Sequence, residues 1–150
     1  MSWSVGGLPL HILVVHAAVV FGPLAALSAL AYVGVPRYRD LLRWPTLIVV
    51  LVAFGAIWAA YLSGDNFFAS DRFANVSGEL QDSIETHKSY ADTLRWIASG
   101  FAIVTVAAFR FHDRPGTTRT VLGGLVALGA VATLVWVLLT GDAGSRAVWG

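Results

Sequence analysis

Four stretches of this chain stay apolar long enough to cross a lipid bilayer, and this constrains the fold more than anything else in it. They run from Leu8 to Val35, from about Trp44 to Leu62, from about Tyr90 to Phe109, and from Val121 to Leu139. Each approaches or exceeds the roughly 20 residues that cover a hydrocarbon core of about 30 Å. Of the 150 residues, 57% are hydrophobic and only 13% charged, whereas a soluble domain carries about 25% charge. With a mean hydropathy of +0.70, the expected solvent is lipid. The fold class that follows is all-α: a membrane four-helix bundle, with residues 1–150 as one four-span domain.

Local signals mark the spans. Pro36 stops the first, the internal Pro23 beside Gly22 predicts a kink, and Pro45 is expected in a first helical turn. The first seven residues contain no Lys or Arg. The apolar stretch after them outruns a signal-peptide core of about 7–15 residues, so it reads as a retained span. Gly55 with Ala59, Ala56 with Ala60, Ala98 with Ala102, and Gly123 with Ala127 have the four-residue spacing that lets helix backbones approach in lipid.

Arg37, Arg39 and Arg43 face only Asp40 between spans one and two, and Arg110, Arg114 and Arg119 face only Asp113 between spans three and four. The middle connection holds Asp65, Asp71, Glu79, Asp82 and Glu85 against Arg72. Basic residues gather on the cytoplasmic side, which predicts both termini and the middle connection outside, in a bacterial inner membrane. Residues from about 79 to 89 read as a polar extension of the third helix. Within it and just beyond, Glu85, Lys88, Asp92 and Arg95 fall three or four apart, as helical charge pairs do. Ser63 to Gly78 reads as a loop anchored by Phe67 and Phe68.

A repeated pattern marks a candidate site. His11 opens the first span and Asp65 follows the second in Leu62-Ser63-Gly64-Asp65; His87 and Asp142 repeat this, the latter in Leu139-Thr140-Gly141-Asp142. Counting back from the arginine-rich helix ends at about 1.5 Å per residue puts all four at about 33–36 Å, in one outer layer. His16 lies about 7 Å deeper. A duplicated helix pair, related by a twofold axis along the membrane normal, would produce this arrangement.

Nitrogen and oxygen donors of this kind suit zinc, iron or manganese. His11, His16, His87, Asp65 and Asp142 are the candidate metal ligands. Haem b is the other cofactor to consider, with His16 and His87 as axial ligands. His16 stands out because an unpaired polar group is costly inside the run Val14-Val15-His16-Ala17-Ala18. The plain alternatives are that Gly64 and Gly141 simply end helices with a solvated Asp after each, and that His11 and His87 are interfacial or surface residues. His112, in a basic connection, carries no expected role.

The function classes narrow accordingly. Cysteine is absent and the single Met is the initiator, so thiolate and thioether sites are excluded. A net charge of +1 and the lack of a basic, aromatic-interleaved stripe argue against nucleic acid. The isolated pairs Gly6-Gly7 and Gly123-Gly124 are no phosphate loop. The leading expectation is a metal- or haem-binding membrane protein for redox or metal handling at the outer face. The alternative is a cofactor-free accessory subunit of a larger membrane complex; besides the lipid bilayer, the partner expected is a membrane protein or a further copy in a homo-oligomer. Enzymatic activity is left open.

The run Leu8-Pro9-Leu10-His11-Ile12-Leu13-Val14-Val15-His16 resembles the opening of an uncharacterised bacterial membrane family, catalogued as domain of unknown function number 2231. The Gly-rich ending from Gly141 to Gly150 and His87 at the start of the third span are also similar to it. The resemblance covers nearly the whole chain and implies a four-helix membrane fold with a histidine site, but no activity. Ile12 and Ala17 stand where that family often has Pro and Phe, and Asp142 where a His is common, which leaves a mixed His/Asp site here.

Overall fold

Lipid offers no hydrophobic drive for helices to associate, so close packing of small side chains has to hold them together. That is the construction seen in the computed structural model, which describes residues 3–70 and 73–150. Four helices carry the fold: α1 (Leu10–Gly34), α2 (Arg39–Phe68), α3 (Glu79–Arg110) and α4 (Thr117–Trp149). All four are long and apolar enough to cross a membrane, and the chain is a multi-pass membrane protein. The loop charges Asp71 and Arg72 lie outside the described residues.

Around the bundle, α1 packs on α2 and α4, and α3 packs on the same two helices. The α1/α3 and α2/α4 pairs are therefore diagonal, meeting only near the axis. The core is small-residue packing: Ala25, Ala26 and Ala29 from α1, Ala53 from α2, Ala102 from α3 and Ala130 from α4 enclose Val50, Phe101 and Val126. A methyl group at Gly22 would sit 2.8 Å from Val137, and one at Gly129 would sit 3.0 Å from Phe101, so both glycines are close-approach points. Of the spaced small pairs, Ala98 and Ala102 are both buried, whereas Gly55 and Ala59 are exposed. Large apolar side chains cover the outside, with Ile103 69% and Leu128 67% exposed, a surface only lipid or a partner would solvate well.

Several boundaries differ from the sequence reading. Gly64 and Gly141 do not end helices: α2 continues to Phe68 and α4 to Trp149, and neither glycine has a positive φ. The α2 extension is held by packing, since Phe67 and Phe68 lie against the His11 ring. Pro45 falls in the second turn of α2, where it removes the donor that would reach the carbonyl four residues back. The α3 extension does begin at Glu79. Gly78, at φ 71°, precedes it without a side-chain cap, and Glu79 and Asp82 occupy the first turn, where acidic groups complement the helix dipole.

A short β-hairpin precedes α1: β1 (Ser4–Val5) pairs antiparallel with β2 (Leu8–Pro9). Gly6 and Gly7, at φ 59° and 83°, supply the two left-handed residues that such a tight turn requires. The Trp3 amide donates to Asn66 Oδ1 at 2.9 Å, fastening the hairpin to the end of α2. Among the expected charge pairs, Asp92 bonds Arg95, whose guanidinium lies 4.0 Å from the Tyr61 ring centre and also faces Trp58 and Trp96. Lys88 instead reaches across to Asp65 on α2, at 3.3 Å.

Candidate functional site

His11 lies in the first turn of α1 and His87 in the third turn of α3, on diagonal helices. Their rings meet near the bundle axis, edge to face, with centroids 6.5 Å apart. Each ring is tethered in the same way. Nδ1 of His11 donates to the Ala60 carbonyl on α2 at 3.0 Å, and Nδ1 of His87 donates to the Thr140 carbonyl on α4 at 2.9 Å.

A carbonyl can only accept, so the proton must sit on Nδ1 of each ring. In the neutral imidazole, Nε2 then carries a lone pair. Neither Nε2 has a hydrogen-bond partner among the described residues. Two oriented imidazoles each keep one free nitrogen.

The rings can lie this close to α2 and α4 because a glycine stands one turn beyond each accepting carbonyl. A methyl at Gly64 would lie 2.9 Å from His11 Cε1, and one at Gly144 would lie 3.0 Å from His87 Cε1. Ser63, 2% exposed, adds a hydroxyl 3.4 Å from His11 Nδ1 while donating to the Ala60 carbonyl at 3.1 Å. Phe67, Phe68 and Phe73 pack on one another. Phe67 and Phe68 also flank His11, and Phe68 reaches His87, so the aromatic pair expected at the interface instead closes over the histidines.

These contacts define a pseudo-twofold relation. His11 to His87 is a step of 76 residues, whereas Ala60 to Thr140 and Gly64 to Gly144 are both steps of 80. Exchanging the diagonal partners places the axis along the bundle. The structural counterpart of Gly64 is thus Gly144, not Gly141, and the repeated Gly-Asp pairs are not equivalent positions.

The five residues singled out by sequence separate accordingly. His11 and His87 come together, and Asp65 lines the cavity beside them while pairing with Lys88. Asp142 is exposed and bonds Arg146 Nε at 2.8 Å. His16 is also exposed, with Nδ1 2.6 Å from the carbonyl of Ile12 on its own helix. Five residues turn a helix by about 500°, so with His11 facing the axis His16 points well away from it. The facing histidines are His11 and His87, not His16 and His87. Among the described residues, no group of three or more His, Cys, Asp or Glu side chains gathers as a metal cluster.

At the opposite end, His112 forms a second polar centre. It is 4% exposed; Nδ1 meets the Tyr32 hydroxyl and Nε2 meets Asp40, both at 2.8 Å. Arg39 donates to its backbone carbonyl at 2.8 Å. The sequence marks His112 only as part of a basic connection. Its clue is a buried Tyr two residues before the end of α1.

The chain matches no family model, no curated protein and no solved structure.

Proposed function

We propose that His11 and His87 bind a first-row transition-metal ion through their Nε2 atoms, for redox or metal handling at the extracytoplasmic face of a bacterial inner membrane. The observation that carries this reading is the matched tether. Metal-ligating histidines nearly always donate their other ring N–H to a carbonyl, carboxylate or water, which fixes the tautomer and the ring direction. His11 and His87 both do so, from opposite helices, with the remaining nitrogens free.

At metal–nitrogen distances of about 2.0–2.1 Å, two imidazoles on one ion place their centroids roughly 5–6.5 Å apart. The 6.5 Å observed is at the wide end of that range, and one ion would be shared with both Nε2 atoms turned toward each other. Water, or Asp65 turned from Lys88, would complete the coordination, a mixed N/O set that suits zinc, iron or manganese. Haem needs only the two axial ligands. The cavity beside the histidines, however, is about 80 Å³, whereas an apolar cavity of about 150 Å³ holds only a benzene-sized molecule. The outward orientation rests on the arginines at the other end. The motif resemblance seen in the sequence implies a histidine site and names no reaction.

The test is metal titration of protein purified in mild detergent, using zinc and cobalt with elemental analysis. One equivalent is expected in the wild type and in His16→Ala, with loss in His11→Ala and in His87→Ala. Affinity should fall on acidification, because protons compete for the same nitrogens. Full metal content in both alanine variants would overturn the reading. A wild type that takes up no metal would move it to a cofactor-free accessory subunit.

A further inference from the structure

The pseudo-twofold pairing continues below the histidines. Val15 and Ala91, Ala18 and Leu94, and Ile57 and Val137 repeat the steps of 76 and 80 residues, and all six line one cavity with His11 and His87. The cavity therefore lies on the bundle axis, with one wall from each helix and the imidazoles above. Ile57, Leu94 and Val137 are 3%, 6% and 4% exposed and pack with Ala18, closing its floor.

Size and wall chemistry select the occupant. The volume is about 80 Å³, roughly half that of an apolar cavity that accepts benzene or xenon. A water needs two to four polar partners to stay in such a place, and the lower walls are aliphatic. The upper part opens to the surface, where Asp65 and Lys88 are about half exposed; the deep part between Ala18, Ile57, Leu94 and Val137 is closed and too small for an acyl chain or a quinone ring. We propose that the axial cavity is a binding site for a diatomic gas, such as dioxygen, nitric oxide or carbon monoxide, held beneath the His11 and His87 side chains that line its upper part. Such molecules partition into lipid, and the cavity lies in the apolar part of the bundle. The metal reading determines only what the gas meets at the top of the cavity; the cavity does not depend on it.

Crystals of the metal-free protein pressurised with xenon provide the test. One xenon site is expected between Ala18, Ile57, Leu94 and Val137, and Ala91→Phe should abolish it by filling the space. Val15→Phe serves the same purpose where Ala91→Phe fails to fold. An empty wild-type cavity, or an unchanged xenon site in a folded phenylalanine variant, overturns the proposal. Metal titration of the same preparation separates the two ideas. Metal binding without xenon overturns the gas site alone. Xenon binding without metal overturns the metal reading and supports the gas site.

Discussion

Both ends of the bundle bury imidazoles between helices, but they use them differently. At the arginine-rich end, His112 has a partner on each ring nitrogen: the Tyr32 hydroxyl on one side and Asp40 on the other. Its backbone also accepts from Arg39. That histidine ties the end of α1 and the start of α2 to the α3 terminus, and it has no lone pair left to offer. At the other end, His11 and His87 each spend one nitrogen on orientation and keep one free. The number of unpartnered nitrogens, more than depth of burial, separates a structural histidine from one able to bind.

The sharpest way to break this contrast is to remove each histidine and read both metal affinity and stability. His11→Ala and His87→Ala should each lower zinc affinity at least about 100-fold, since each deletes a ligand rather than its support. His112→Ala should leave zinc affinity within about twofold while lowering stability by about 1–3 kcal/mol, the cost of leaving buried polar groups unpaired. Unfolding in mixed detergent micelles measures the latter. If His112→Ala removed metal binding as completely as His11→Ala, the distinction between the two ends would collapse.

A smaller effect tests how the rings are held. Gly64→Ala and Gly144→Ala keep every ligand but place a methyl 2.9 Å and 3.0 Å from the two rings. The rings must then rotate or their helices separate, and affinity should fall about 10-fold, the scale expected when a supporting contact is lost. Gly55→Ala and Gly124→Ala meet nothing within 4 Å and should leave titration curves superimposable on the wild type. Equal effects from all four glycines would mean that helix flexibility, not ring position, controls the site.

Much of this architecture is legible in the sequence. Span lengths imply four helices, the polar extension of α3 begins at Glu79, near the start expected at about residue 79, and His11 and His87, which residue counting puts in one layer, lie side by side. What counting along an axis cannot supply is the angle around it. Each residue turns the helix by about 100°, so His16 and Asp142 face other ways and bond within their own helices. The Gly-Asp repeat aligned Asp65 with Asp142, a step of 77 residues, whereas the packing pairs Gly64 with Gly144, a step of 80. Three residues shift the phase by most of a turn. His112 went unread for a related reason: its partners Tyr32 and Asp40 are about 72–80 residues away, and only the closed bundle brings them together.

That alignment can be tested directly, through the smallest effect of the series. Asp65 lines the cavity beside the histidines and pairs with Lys88 at 3.3 Å, the two side chains 58% and 47% exposed. A charge so placed is partly screened, and Asp65→Asn should weaken zinc binding by about twofold to fivefold, the range of a rim electrostatic contact. Asp142 bonds Arg146 on its own helix and faces outward, so Asp142→Asn should give a titration curve indistinguishable from the wild type. Under a true Gly-Asp repeat, the two carboxylates would be equivalent and both substitutions would weaken binding alike. Unequal effects would favour the 80-residue register drawn by the glycines beneath the two rings.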